Sequence, residues 1–351
     1  MSTPHRPEQA PESPVWQPTA GTEGAPSGAT APGAPLTAIE RLKQRATAAP
    51  APTAGGPSGG FALAPAEPPG PQPLRILRNA VAGMFGPDRI VRPVVEAVVR
   101  AQRPLTTGRR VVLLGAHPGA GVTTTAVTMT LLLAQIRRER IALVGAGTDP
   151  SPIAARTGAP PRYSAEQVLA EVEAGRAIGS DQLVQVMDQI APNAWSVAAQ
   201  RDPGTPATSR LTRVFAGSFG ATVVDAGSTA QGQTAALLES AHSVVLVGDG
   251  SREGMNAIEV AFSHLASAHL IQPERLVVCL VQTRRSSRID LTWEAGVVRK
   301  QGIRSVGVPW DPHLAQGRQV RTNFLAAPTL GAHARLMAEA IDSSMTAGGR
   351  L

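Results

Sequence analysis

The sequence predicts an α/β fold in which a mostly parallel sheet is covered by helices on both faces. From Val111 onward, continuous apolar runs alternate with helical stretches of about 10 to 15 residues, the pattern of strands buried between helices. The first apolar run passes into a glycine-rich turn and a threonine-rich helix, and later runs also end in glycine or a polar residue. Ligands bind at the carboxyl ends of the strands in such sheets, so we expect the functional site there.

Length and composition narrow the class of protein. The chain of 351 residues has room for one domain of roughly 200 to 250 residues and further segments. Its net charge is +7 and nearly all of its cations are arginines, Lys43 and Lys300 being the only lysines. A basic chain can bind nucleic acid, but aromatic residues make up only 3% and no basic block contains them. Nucleic-acid binding is therefore not favoured, although it is not excluded.

The single cysteine and the absence of long apolar runs exclude other classes. Cys279 lies inside an apolar run, which excludes a disulfide framework and predicts a small buried side chain. The first residues show no secretory signal pattern, and no apolar run approaches the roughly 18 residues that a membrane-spanning helix requires. We expect a cytoplasmic protein without a transmembrane segment.

Composition divides the chain into three parts. Residues 1–73 hold 16 of the 31 prolines and are rich in Ala and Gly, which predicts a disordered tail. Within that tail, Leu36, Ile39 and Leu42 have helical spacing, as in a transient helix or a docking element for a partner. Residues 74–108 are predicted to form a helical lead-in, a segment before the main domain that packs on the core, with helices at 74–85 and 93–100. The main domain spans residues 109–351.

The stretch RRVVLLGAHPGAGVTTTAVTM, residues 109–129, is the centre of the main domain. A short apolar strand, a glycine-rich turn and a helix form the layout of a phosphate-binding loop. In such a loop, backbone N–H groups and the helix N-terminus face the anion, so much of the attraction comes from the main chain. Compared with G-x-x-x-x-G-K-[ST], the chain has Val122 where the lysine belongs, followed by Thr123. The loop is thus predicted to keep its shape without its charge.

The later elements continue the alternation. Ser164 and Gln167 form a capping-box signal for the helix that follows. Strands are predicted at 141–144, 195–199, 221–227, 243–247, 275–281 and 304–308. Helices are predicted at 165–174, 181–190, 209–216, 254–266, 290–299 and 330–345. The strand at 221–227 ends in Asp225, at the position of a carboxylate associated with Mg²⁺.

These motifs together resemble the MinD/ParA-type P-loop ATPases over about residues 74 to 346. The resemblance is carried by AHPGAGVTTTA, VVDAG and AHSVVLVGDGSREGMNA, and by the late block SSRIDL…VGVPWDPHLAQG. The late block and the proline-rich first segment are similar to the actinobacterial EspI-like members associated with type VII (ESX) secretion. The resemblance implies a P-loop NTPase-like three-layer sandwich, ATP and Mg²⁺ as ligands, a homodimer, and partners from a secretion system.

Residue by residue, the resemblance shows which family features are missing. The signature lysine, which reaches the nucleotide of a dimer partner, corresponds to His117, and the loop lysine corresponds to Val122. The two switch aspartates, which orient water and metal, correspond to Gly145 and Gly147. The Walker B aspartate is kept as Asp225.

The resemblance also implies ligand contacts. Mg²⁺ would be held by Thr123 and Asp225, and Thr124 continues the threonine run with Thr125. Gln282 lies near the family's adenine-reading asparagine. The expected nucleotide-binding residues are Ala116, His117, Pro118, Gly119, Ala120, Gly121, Val122, Thr123, Thr124 and Gln282.

Simpler interpretations of the same residues remain. His117 could be a loop residue without a ligand role, Asp225 a carboxylate that caps a turn, and the loop a packing element with no phosphate.

Three candidate functions follow from the sequence. The first is a pseudo-ATPase that scaffolds a secretion machine. The second is a weak ATPase or nucleotide switch, whose missing charge comes from an arginine such as Arg156 or from a partner. The third is a localisation or DNA-associated protein resembling the CpaE/TadZ group. Hydrolysis is expected to be weak or absent, with Asp225 as the one catalytic candidate.

Overall fold

A computed structural model describes residues 91–147, 149–177, 179–199, 206–228, 234–285 and 289–346. Within these residues, eight strands form one sheet with helices on both faces. The predicted three-layer α/β sandwich with a mostly parallel sheet is therefore confirmed. None of the described helices combines the length and the apolar character needed to cross a membrane.

The sheet has the strand order β3-β4-β2-β5-β1-β6-β7-β8. The strands are β1 Arg109–Gly115, β2 Ile141–Gly145, β3 Asp188–Ala191, β4 Ala194–Ala198, β5 Ala221–Ser228, β6 Ser243–Asp249, β7 Leu276–Val281 and β8 Arg304–Val308. Every pairing is parallel except that of β3 with β4. Consequently β5, which carries Asp225, lies between β1 and β2.

Helices connect the strands and cover both faces. They are α1 Val91–Ala101, α2 Val122–Ile136, α3 Ser151–Thr157, α4 Ala165–Glu173, α5 Ser180–Gln185, α6 Pro206–Phe215, α7 Ala235–Glu239, α8 Arg252–Ser267, α9 Leu291–Lys300 and α10 Ala327–Thr346. Alternate strand residues face opposite layers. Val111 and Leu113 pack with α1, α2 and α10, whereas Val112 and Leu114 pack with α4, α6 and α8. Cys279 is fully buried in the first of these layers, as predicted.

Most of the predicted elements are present, with one clear error. The helix predicted at 181–190 ends at Gln185, and Asp188–Ala191 is instead an antiparallel edge strand, β3. Tertiary contacts favour the strand, because the buried carboxylate of Asp188 accepts hydrogen bonds from the backbone N–H and the Nε of Arg162. The short helices α3 and α7 were not predicted. The capping box of Ser164 and Gln167 is confirmed at the start of α4.

The lead-in segment is described only in its second half. The helix predicted at 93–100 is present as α1 and packs on α10, where Arg100 forms ion pairs with Glu339 and Asp342. The tail predicted at 1–73, its helical island and the helix predicted at 74–85 lie outside the described residues. The boundary at residue 73 therefore stays a prediction.

Candidate functional site

The glycine-rich loop has the backbone shape of an anion-binding loop. Gly119 and Gly121 have φ values of 81° and 91°, in the left-handed region that favours glycine. Gly121 precedes the first residue of α2, and the Thr125 hydroxyl and N–H both donate to its carbonyl at 2.9 Å. These bonds hold the turn against the first turn of the helix.

Several N–H groups of the loop are available to a ligand. Within the described part of the chain, the N–H groups of Gly121, Val122, Thr123 and Thr124 have no acceptor. The first N–H groups of a helix lack intrahelical partners, and together they attract an anion. The N–H of Ala116, by contrast, donates to the carbonyl of Val247 at 2.8 Å and so extends the sheet. Ala116 was predicted to bind nucleotide, but its amide is therefore used in the sheet.

Val122, at the position of the loop lysine, points into the core. Its side chain is 8% exposed and belongs to the apolar layer shared by α2 and α10. A Cβ on Gly115 would lie 2.8 Å from the Val122 Cγ2 atom, so these two residues are in close contact beneath the loop. Burial of a valine side chain contributes about 1.5–3 kcal/mol. Val122 thus stabilises the loop through its contacts in the core.

Asp225 and Thr123 meet at the carboxyl end of β5. The Asp225 carboxylate is buried, accepts a hydrogen bond from the Gly227 N–H at 3.1 Å, and hydrogen-bonds to Thr123. Burial raises the pKa of Asp225, and the hydrogen bonds from Thr123 and Gly227 oppose that shift. One hydroxyl and one carboxylate are hard oxygen ligands of the kind that Mg²⁺ takes together with water and substrate phosphates. These two residues fit the predicted metal, which would neutralise phosphate charge when bound.

The turn after β2 forms the opposite wall of a cavity of about 160 Å³ next to Asp225. Gly145 is enclosed: a Cβ there would lie 2.4 Å from Ile153 Cδ1 and 3.1 Å from Ala198 Cβ. At Gly147, by contrast, a Cβ would have no neighbour within 4 Å. One switch position is therefore filled by neighbours, while the other is open.

Asp149 is a residue that the sequence analysis did not single out. It lines the same cavity as Asp225, and its carboxylate accepts a hydrogen bond from the Ser151 N–H at 2.8 Å. Hydrogen bonds from the Ser151 hydroxyl and N–H hold the pKa of Asp149 below its usual value. A signal was present in the sequence, because an Asp-Pro pair before Ser151 is typical of a helix start.

Arg156 faces the glycine loop across a cavity of about 530 Å³ that is lined by residues 117–124, 152, 155–156, 227–228 and 317. Its half-buried guanidinium makes one long hydrogen bond, from Nη1 to the Leu314 carbonyl at 3.4 Å. No carboxylate lies within ion-pair distance of it in the described residues, and burial lowers its pKa. The arginine that the second hypothesis named as a source of charge thus lies on the wall of the loop cavity.

His117 lies on the other side of the loop, toward β6. Its Nδ1 is 2.8 Å from the Pro118 carbonyl, and its Nε2 accepts a long hydrogen bond from the Asp249 N–H at 3.4 Å. These contacts fit the tautomer of the neutral ring that carries its proton on Nδ1. The imidazole is thereby engaged within its own chain. His117 also lines a larger cavity of about 990 Å³, with residues 249–251, 253–254, 257 and 281–284.

Gln282 borders that larger cavity and connects two strand ends. Its N–H donates to the Val308 carbonyl at 2.9 Å, and its Oε1 accepts from the Trp310 N–H at 3.3 Å. The side chain predicted to contact a base therefore also fixes the segment after β8.

The late block around Trp310 is held by buried hydrogen bonds. Asp311 is 2% exposed and accepts from the N–H groups of His313, Leu314 and Ala326. The segment in turn fixes α3, because the Val320 N–H donates to the Arg156 carbonyl at 2.7 Å. Asp311 thus holds the segment after β8, and this segment contacts α3 at Arg156.

The structure brings most of the predicted residues to one edge of the sheet. Thr123, Asp225 and both glycines line the smallest cavity, the loop from His117 to Thr124 lines the middle one, and Gln282 lines the largest.

No protein-family model matches this sequence, and no curated protein matches it. Solved structures with a similar fold include the cell division ATPase MinD of Pyrococcus furiosus, with 17% identity and a TM-score of 0.49, covering 66% of this chain and 98% of that one. A ParA family ATPase from Chlorobium tepidum has 15% identity and a TM-score of 0.48, covering 69% and 99%. The MinC:MinD cell division complex of Aquifex aeolicus has 15% identity and a TM-score of 0.47, covering 70% and 97%.

Proposed function

We propose that this chain is a degenerate MinD/ParA-like nucleotide-binding protein that binds Mg-ATP weakly, does not hydrolyse it, and acts as an accessory or scaffold subunit of a type VII-like secretion system. The observation that carries the proposal is the state of the two turns beside Asp225. The glycine loop keeps its left-handed glycines and free N–H groups, whereas a side chain at Gly145 would have to displace Ile153 and Ala198.

Weak binding follows from what remains in the loop cavity. Free N–H groups of the main chain, the Thr123–Asp225 pair and the guanidinium of Arg156 all border space that a triphosphate with Mg²⁺ would occupy. The missing lysine contact removes roughly 1.5–3 kcal/mol, or about ten- to a hundredfold in affinity. Arg156 offsets part of that loss from outside the loop.

Absence of turnover follows from the missing catalytic groups. Phosphoryl transfer depends on positioned charge, and removal of a single stabiliser costs about 10²–10³ in rate. Here the loop lysine and both switch aspartates are replaced by Val122, Gly145 and Gly147. The secretion role rests on the resemblance of the late block and of the proline-rich first segment to the EspI-like proteins.

The test is to titrate Mg-ATP into the full chain and to measure phosphate release from the same preparation. We expect saturable, weak binding and release no faster than in a buffer control. Asp225→Ala should weaken binding, which would tie the signal to this site. If no binding is detected, the loop is only a packing element. Phosphate release well above background that Asp225→Ala abolishes would instead establish a true ATPase.

Asp149 favours the second candidate, a weak ATPase or nucleotide switch, because it places a second carboxylate in the cavity of Asp225. In that case Asp149→Asn should abolish phosphate release and leave Mg-ATP affinity within about twofold. The hydrogen bonds from Ser151 give Asp149 a structural use in the turn that leads into α3, and for that reason we rank this candidate second.

A further inference from the structure

Arginines gather at the amino ends of the strands, on the edge of the sheet opposite the glycine loop. Arg109 and Arg110 begin β1, Arg275 directly precedes β7, and Arg213 lies in the last turn of α6. The turn at residues 240–242 connects Arg110 with Arg275: Arg110 Nε donates to the Ser240 carbonyl at 2.7 Å, and Arg275 Nη1 lies 3.5 Å from the Ala241 carbonyl. We call these four arginines with His242 the amino-edge cluster.

The amino-edge cluster has no counter-charge. In the residues that the structure describes, no carboxylate lies within ion-pair distance of any of its four arginines. The Nε atoms of Arg109 and Arg275 are buried and have no hydrogen-bond partner there. Burial, followed by the charges of Arg213 and Arg109, lowers the pKa of Arg110 to about 10. Buried donors without acceptors and close like charges both cost folding free energy.

His242 adds a neutral donor to the cluster. Its Nδ1 accepts the Arg110 N–H at 3.1 Å, so the ring proton is on Nε2. Burial, with smaller effects from Arg110, Arg109 and Arg275, lowers the pKa of His242 to about 3 and keeps it uncharged near neutral pH. The cluster therefore presents only donors.

We propose that the amino-edge cluster binds a phosphate-type oxyanion, either free inorganic phosphate or the phosphate of a small monoester. Guanidinium groups match the oxygens of phosphate, and several of them around one anion provide both charge and hydrogen bonds. Arg110, Arg275 and His242 meet at one three-residue turn and are partly buried, which suits a compact anion. A long polyanion would instead need cations spread along a surface. The bound anion would offset the mutual repulsion of the arginine charges.

The test is calorimetric titration of inorganic phosphate into the full chain, at constant ionic strength set with chloride. Arg213→Gln is the main variant, because the exposed side chain of Arg213 makes no hydrogen bond within the described residues, so the fold does not depend on it. We expect one phosphate per chain, with a Kd at least about tenfold weaker in Arg213→Gln, the effect of one lost charge-assisted contact. Arg92→Gln removes one charge from an exposed pair on α1 and should leave the Kd unchanged.

Two further experiments identify the source of the anion and distinguish the amino-edge cluster from the loop cavity. Glycerol phosphate binding as tightly as inorganic phosphate would indicate a monoester, and selectivity for inorganic phosphate would indicate the free ion. Arg156→Gln alters the loop cavity but should leave this phosphate affinity intact, whether or not the loop binds nucleotide. Equal phosphate affinity of wild type and Arg213→Gln, or loss only in Arg156→Gln, would overturn the proposal. So would salt-dependent binding of duplex DNA, lost in Arg213→Gln, without any binding of phosphate.

Discussion

The glycine loop and the turn after β2 both lie beside Asp225, yet they differ in what they offer a ligand. The loop has a buried valine at the predicted lysine position, together with left-handed glycines, free N–H groups and an open cavity. The turn has glycine at both predicted switch positions, and Ile153 and Ala198 pack close to Gly145. A property that resides in the main chain survives changes of side chain, whereas one that resides in side chains disappears with them. Binding should therefore be simple to restore here, and hydrolysis difficult.

The largest expected effect is a difference in the free energy of unfolding between variants at the two predicted switch positions, Gly145 and Gly147. Gly145→Asp should lower the free energy of unfolding by about 3 kcal/mol or more, because the new side chain clashes with Ile153 and places a charge beside buried apolar atoms. Gly147→Asp should stay within about 0.5 kcal/mol of wild type, since its Cβ has open space. Denaturant unfolding of both variants measures the difference. Equal stability would mean that the turn is not closed around Gly145.

The second prediction concerns the loop. Val122→Lys should tighten Mg-ATP binding by about ten- to a hundredfold, the value of one charge-assisted contact. Because Val122 is buried, the same change should lower the free energy of unfolding by about 1–2 kcal/mol.

Val122→Ala is the matched control, since it removes the core contact without adding charge. Its affinity should equal that of wild type while its stability falls in a similar way. If Val122→Lys gains no affinity, the loop N–H groups are not positioned to hold a triphosphate. Turnover should stay at background unless a carboxylate also returns at Gly147.

A smaller effect on Mg-ATP affinity is expected for Arg156, across the cavity from the loop. Arg156→Gln should weaken Mg-ATP binding by about tenfold, because its guanidinium is the cation on the cavity wall opposite the loop. Arg318→Gln, an exposed cation of the neighbouring segment that does not line the cavity, should change the affinity by less than about twofold. Equal losses in both variants would indicate only a general electrostatic attraction.

The smallest effect is expected for self-association. Mg-ATP should not change the sedimentation coefficient of the chain, because the residue at the signature-lysine position, His117, is engaged by Pro118 and Asp249 of its own chain. Sedimentation velocity with and without Mg-ATP checks this. A nucleotide-dependent shift from monomer to dimer would show that an interface forms without that lysine.

Local signals in the sequence determined a large part of this protein. Continuous apolar runs predicted the buried parallel strands, and the order of glycines and threonines after β1 predicted both the loop and the helix that follows it. Cys279 was expected in the core and is found there. These predictions succeed because each depends on neighbouring residues and on a period set by local geometry.

Only the tertiary structure decided which distant residues share a cavity. Arg156 faces the loop because the segment after β8 fixes α3, and Gly145 is closed because Ile153 and Ala198 arrive from other elements. The residues 188–191 form a strand because β4 and Arg162 provide its partners. The amino-edge cluster likewise joins residues from β1, α6 and the starts of β6 and β7, which are far apart in the chain. Such contacts arise between surfaces that exist only after folding, so no local pattern in the sequence encodes them.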